Sequence, residues 1–409
     1  MSTTRSAPLT GLRTIAALAV CLTHAAYWTG GYTDDVTGRL LSRFEVGVAL
    51  FFVLSGFLLF RPWVRALRDQ DRRGRDLEDG DPEGGGRPSY PRLGRYFRHR
   101  FRRVVPPYWI VVVAVYLIYL VRTDPGTTGH GWSGLLRNLT FTQVYGFGHL
   151  HTGLTQMWSM TAEVAFYLVL PALAWLLTTA VCGDRWRPGP MLASLGLLAL
   201  LSLFFSIVVH EFPDVDPTAR MWPPAFGLWF VGGMALAVVA AMRPRRSVPW
   251  AVPLGLVAFV VSAGAFAGEP TIIPAGAVET IVKHVLYLVV ALGLIAPLVL
   301  TPERPGTTDT LWRRFCGARP MVWFGEISYE FFLVHVMVLE FAMGWLGYSD
   351  FSGSTVLVFL VTTVVSTPIA WLLHVVTADR RTRARVFGRP DRSADVGKAA
   401  GEGRRRRIS

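Results

Sequence analysis

The stretch Leu9-Thr10-Gly11-Leu12-Arg13-Thr14-Ile15-Ala16-Ala17-Leu18-Ala19-Val20-Cys21-Leu22-Thr23-His24-Ala25-Ala26-Tyr27-Trp28 decides the fold. It matches the run of about 20 apolar residues that carries one helix across a bilayer. Two of its side chains do not belong in hydrocarbon, Arg13 and His24. Arg13 interrupts the apolar core and no small-x-small cleavage site follows, so the segment is expected to stay as a first span rather than leave as a signal peptide. The two ionisable residues are eleven positions apart. At about 100° per residue they point from the same face, about 20° past three full turns and about 16 Å apart along the axis.

Working outward, nine further apolar runs of similar kind give ten expected spans, at roughly 9–28, 44–63, 104–121, 157–181, 191–209, 225–242, 250–267, 277–300, 321–344 and 355–377. Charge fixes their orientation. With the N-terminus inside, 33 of the 41 basic residues fall in the cytoplasmic segments and five outside; the last three, Arg13, Arg61 and Lys283, are in spans. That asymmetry follows the positive-inside rule and places both termini in the cytoplasm. The expected class is an all-α, polytopic membrane bundle of about ten helices, seated as a multi-pass protein in a bacterial plasma membrane. It also reconciles 52% apolar residues with a net charge of +13 in a chain of 409 residues. Nucleic-acid binding would explain the charge but not the hydrophobicity, and the hydrophobicity excludes a disordered chain. Three cysteines, Cys21, Cys182 and Cys316, do not make a disulfide framework.

The membrane domain is expected over 1–380, with a disordered cytoplasmic loop at 66–92 and a basic disordered tail at 381–409, both poor in apolar residues. These segments and the flanking arginines also suit contact with anionic membrane lipid. No appended hydrolase-like domain is expected after the last span, and a reaction needing a second catalytic domain is expected to call for a partner protein.

An ionisable group inside a span marks a polar interior. The spans carry Arg13, His24, Glu163, Lys283, His284, Glu326, Glu330, His335 and Glu340. A cation near the cytoplasmic entry suits an anionic substrate, and a deeper histidine suits a general base; equally, each can pair with a carboxylate and hold helices together. Glu163, six residues into its span from outside, is expected at the depth of His24, where a Glu–His pair would fix the basic tautomer. Tyr167 shares its face. Ser328 and His335 share a face of the ninth span, and either Glu326 or Glu330 can neutralise an arginine. Arg95, Arg98, Arg100, Arg102 and Arg103 form an arginine-rich helix entry, able to bind phosphates bidentately or simply to anchor the span. Pro106 and Pro107 fit a first helical turn. His149 and His151 lack further ligands at metal spacing, and no metal is expected.

Five blocks in order resemble the membrane acyltransferase-3 family. They are Arg13 with His24 ten intervening residues on, Gly47 to Leu59, Arg100 to Trp109 with its R-x-x-R core, Trp158 to Glu163 with Tyr167 and Pro171, and Gly325-Glu326-Ile327-Ser328-Tyr329 through His335. Thr10 departs from the pattern, since many members carry Asp there. The resemblance implies ten spans and transfer of an acyl group, commonly acetyl, from a coenzyme A thioester to a hydroxyl. No permanently bound cofactor is implied, only acyl-CoA as donor substrate. The acceptor it implies is a glycan, a lipid-linked sugar or a metabolite such as a macrolide. It implies His24 as the base, Glu163 and His335 as its catalytic companions, Arg13, Arg100 and Arg103 as donor-binding groups, and Tyr167, Ser328 and Tyr329 as their support. A transporter or flippase of a polar solute is the alternative that the buried charges alone leave open.

Overall fold

The computed structural model describes residues 6–77, 88–122, 127–212, 214–242, 248–271, 276–300 and 311–378. They form helices and turns, with no strand among the described residues. In chain order the helices are α1 (Ala7–Trp28), α2 (Val36–Ser42), α3 (Val46–Leu77), α4 (Leu93–Tyr119), α5 (Trp132–Leu139), α6 (Trp158–Trp175) and α7 (Pro188–Glu211). Then follow α8 (Gly227–Met242), α9 (Ala251–Ser262), α10 (Ala277–Leu300), α11 (Leu311–Cys316), α12 (Arg319–Trp345) and α13 (Thr355–Thr377).

Nine of these, counting the turns that lead into α6 and α8, are long and apolar enough to cross a membrane among the described residues. The protein is a multi-pass membrane bundle. The expected span 250–267 differs: α9 has 12 residues. At about 1.5 Å each these reach about 18 Å, short of a bilayer core of about 30 Å. A break at Ala263–Gly264 and a 3-10 turn, Ala265–Ala267, end the run, because Gly264 and Gly268 interrupt it.

Burial orders the bundle. In α12 78% of the most apolar window is buried, but only 22% in α7, so α12 is central and α7 peripheral. Packing of α1 on α12 and of α3 on α8 builds the centre. Small residues permit it, as membrane helices without a hydrophobic drive pack backbone to backbone. A Cβ at Gly325 would lie 2.0 Å from the Thr10 carbonyl oxygen, and one at Gly233 would lie 2.1 Å from that of Val53.

Two flanking segments also differ from expectation. Residues 66–77 continue α3 as a helix rather than a disordered loop, and Tyr90 docks back, its hydroxyl donating to Asp184 Oδ1 at 2.7 Å and its ring lying 5.5 Å from that of Trp63. The rest of that loop and the expected tail at 381–409 lie outside the described residues. Second, α4 starts at Leu93, eleven residues before its expected span, so Pro106 and Pro107 lie inside the helix. Neither can donate to the carbonyl four residues back; those carbonyls belong to Arg102 and Arg103. Helix propensity of the arginine-rich run carries α4 beyond its apolar stretch into the charged flank.

Candidate active site

A cavity of about 120 Å3 lies between α1, α3, α4, α6 and α12. Its polar lining is Arg13, Arg100, Arg103, Ser55, Glu163 and Tyr167, with Ser159, Ser328 and Tyr329; its apolar wall includes Phe51, Phe52 and Phe332. Whole ligand sites measure about 300–1,000 Å3, so this space is smaller than a complete site for a large ligand. Seven of the nine candidate residues read from the sequence thus meet in one space, although they come from four helices.

Glu163 Oε1 accepts the Ser55 hydroxyl at 2.8 Å and also the Tyr167 hydroxyl. The Arg100 guanidinium lies over the Tyr167 ring, 5.8 Å from its centroid. Three guanidinium groups face one carboxylate here, so the cavity is cationic. The Nε of Arg100 is buried without a hydrogen-bond partner among the described residues. A buried donor left unpaired costs about 1–3 kcal/mol, and an anionic ligand would satisfy it. Tyr329 donates to the Val104 carbonyl at 2.9 Å, bracing the turn that carries the proline pair. Ser328 donates to the Gly325 carbonyl of its own helix at 2.9 Å.

The two remaining residues form a second pole. His24 Nδ1 and His335 Nε2 are 3.0 Å apart. His335 Nδ1 lies 2.7 Å from the Phe332 carbonyl oxygen. A carbonyl only accepts, so in the neutral pair His335 Nδ1 carries a proton and its Nε2 is bare. His24 Nδ1 must then donate to it, which leaves His24 Nε2 as an unprotonated acceptor. His335 is wholly buried and His24 keeps part of its surface open. In this arrangement His335 orients the His24 ring and leaves its Nε2 free to accept a proton.

The expected pairing of Glu163 with His24 is not made. The 3-10 turn Thr152–Met157 prolongs the α6 segment outward, so Glu163 sits deeper, at the level of Arg13 rather than of His24. Nor do Glu326 or Glu330 line the cavity. Glu330 accepts from His374 on α13 at 2.9 Å and Glu326 is exposed. Glu340 accepts the Tyr119 hydroxyl and lies 4.0 Å from Arg122.

Lys283 pairs at 2.9 Å with Glu45, a residue the sequence reading did not single out. Glu45 sits at the edge of its span and reads as interfacial; the signal that finds it is the counter-charge a lysine in a span requires. His151 pairs with His130 at 3.1 Å, not with His149. No group of three or more potential metal-ligating side chains occurs among the described residues. Asn138 is buried and donates to the carbonyls of Gly134 and His149.

This bundle with its buried ionic site is that of an integral membrane acyltransferase. The chain belongs to the acyltransferase-3 family: the family model, described as an acyltransferase domain, matches residues 8–375. Three curated relatives share the likeness. Acyltransferase MdmB of Streptomyces mycarofaciens is 26% identical over 402 residues, covering 90% of this chain and 89% of that protein. Peptidoglycan O-acetyltransferase OatA of Listeria monocytogenes is 25% identical over 360 residues, covering 80% of this chain but only 48% of that protein. Nodulation protein 10 of Rhizobium leguminosarum bv. viciae is 24% identical over 371 residues, covering 82% and 84%. No solved structure matches.

Proposed function

We propose that this acyltransferase moves a short acyl group, acetyl, from acyl-CoA to a hydroxyl of a carbohydrate-containing acceptor at the cell membrane. The observation that carries the reading is the pairing of two poles on one helix. Arg13 joins Arg100 and Arg103 in the cationic cavity, while His24 presents its bare Nε2 about 16 Å further along the same face. With the N-terminus inside, the donor's phosphates stay at the cytoplasmic mouth and its slender arm runs inward. An O-acetyltransferase of peptidoglycan among the relatives supports acetyl as the group and a sugar hydroxyl as the acceptor.

In the reaction the acceptor oxygen attacks the thioester carbonyl while its proton passes to His24 Nε2. The C–O bond forms, the C–S bond breaks, and the coenzyme thiolate takes the proton back from the imidazolium. His335 holds the ring in the productive tautomer. Glu163, fixed by Ser55 and Tyr167, offsets part of the arginine charge and keeps the guanidinium groups from repelling one another.

The test is His24→Ala in membranes supplied with acetyl-CoA and acceptor. A general base contributes about 10²–10⁴-fold, and a loss of that size at normal expression is expected. Unchanged transfer would exclude His24 as the base. Transport of acceptor across vesicles without acyl-CoA would replace the reading with the transporter alternative.

A further inference from the structure

Apart from the two poles, the described residues include buried ionic groups that the reaction has not used, and the pair of Lys283 with Glu45 is one of them. Glu45 closes the 3-10 turn Arg43–Glu45 just before α3. Its Oε1 accepts from Lys283 Nζ at 2.9 Å and from the Tyr287 hydroxyl at 3.0 Å, both on α10. Lys283 is only 6% exposed, and a buried ammonium requires such a counter-charge. That requirement accounts for one carboxylate oxygen. The other, Oε2, takes no hydrogen bond from the described residues, and the side chain keeps 33% of its surface.

Three helix faces place Glu45 relative to the cavity and the histidine pair. On α3, Val48, Phe52 and Ser55 line the cavity, and Glu45 precedes them by three, seven and ten residues, on the same stripe. On α1, Arg13 lines the cavity and His24 follows on its face. On α12, Ser328 lines it and His335 follows seven residues on. The faces that enclose the cavity thus continue to Glu45, His24 and His335. Contacts fix the register. A Cβ at Gly47 would lie 2.3 Å from the Ala16 carbonyl oxygen. Thr23 Oγ1 donates to the carbonyls of Leu41 and Ser42 at 3.1 and 3.2 Å. The chain from Ser42 to Gly47 therefore runs beside α1 between Thr23 and Ala16, which puts Glu45 along the stretch of α1 that ends next to His24.

The geometry points to Glu45 Oε2 as an anchor for the acceptor substrate, taking a hydrogen bond from a hydroxyl that neighbours the one His24 deprotonates. Lys283 and Tyr287 hold the carboxylate in place for this purpose. A carboxylate oxygen only accepts, so it selects an O–H donor, and such charge-assisted bonds are the stronger class. A single-hydroxyl alcohol fills the His24 position alone; a vicinal diol, as on a sugar ring, fills both. The inference rests on His24 as the base.

The experiment uses the full chain in nanodiscs, acetyl-CoA as donor, and two probes: methyl glucoside as the vicinal diol and cyclohexanol as the single alcohol. Glu45→Gln is expected to lower the ratio of glucoside to cyclohexanol kcat/KM about ten- to a hundred-fold, the worth of a hydrogen bond to a charged group. The effect should fall on the KM for glucoside, with the KM for acetyl-CoA moving less than about twofold. Glucoside binding is also measured by saturation-transfer NMR. Because Glu45→Gln leaves Lys283 unpaired, Glu45→Gln with Lys283→Met carries the same expectation if the single variant does not fold. An unchanged ratio, an equal loss with both alcohols, or no binding of glucoside by the parent protein would overturn the inference. Failure of the underlying reading shows separately, as retained cyclohexanol transfer in His24→Ala.

Discussion

The Phe332 carbonyl sets the chemistry of two histidines at once. By accepting from His335 Nδ1 it fixes both tautomers, and the proposed base, His24 Nε2, is set by a second histidine rather than by a carboxylate among the described residues. His335→Ala removes the acceptor for His24 Nδ1–H; kcat is expected to fall about 10²–10⁴-fold, with the KM for acyl-CoA unchanged. His335→Gln, whose amide oxygen can accept that proton's hydrogen bond, should recover part of the loss. Steady-state kinetics in membranes check both. Arg100 invites a second substitution. Its Nε is a buried donor unpaired among the described residues, and its guanidinium carbon lies over the Tyr167 ring. A lysine has neither the fork nor the stacking face, so Arg100→Lys should raise the KM for acyl-CoA about tenfold or more with little change in kcat. Arg13, Arg100, Arg103 and Tyr167 were legible from the sequence because cations and their spacing on a helix are local facts. The His24–His335 and Glu45–Lys283 contacts were not, since they join residues more than two hundred positions apart.

Among the elements, the seam between α1 and α12 has little tolerance. The Gly325 contact with the Thr10 carbonyl leaves no room for a methyl group. Overpacking costs about 1–3 kcal/mol, so Gly325→Ala should lower the thermal midpoint in detergent by a few degrees and reduce activity at both poles together. The turn before α6 behaves differently. His151 is buried among Tyr116, Tyr119 and His130, and this burial, with the charge of His130 adding to it, pushes its pKa from 6.5 down to about 4. Below about pH 6.5 the unfolded chain binds a proton that the folded turn refuses, so stability falls as pH drops toward 4 and is flat above 6.5. Limited proteolysis of residues 127–157 at about pH 7.5 and pH 5 should show faster cutting at the lower pH, and His151→Gln should remove the difference. Element existence was plain in the apolar runs. Their ends were not: the Arg-rich start of α4 reads as a solvated flank, and the turn that sets the depth of Glu163 has no period of its own.

At the scale of the molecule, charge asymmetry gives an orientation that labelling can read. A membrane-impermeant thiol reagent should modify Trp132→Cys in intact cells and Gly94→Cys only after permeabilisation; the native cysteines are all buried. The reverse pattern would invert the bundle and move the arginine cavity to the outer face. The class of fold was readable because apolar length and basic flanks are whole-chain properties, whereas the break after α9 turned on two glycines in a run of acceptable composition. One feature reaches beyond chemistry. Arg13 and His24 ride on a single helix held backbone to backbone, so the interval between the poles is a count of residues rather than a fit of side chains. Descendants of this chain are free to exchange the apolar residues between them. Gaining or losing one residue there would swing the base about 100° off its face, so the inherited quantity is a number, and drift in letters leaves it intact.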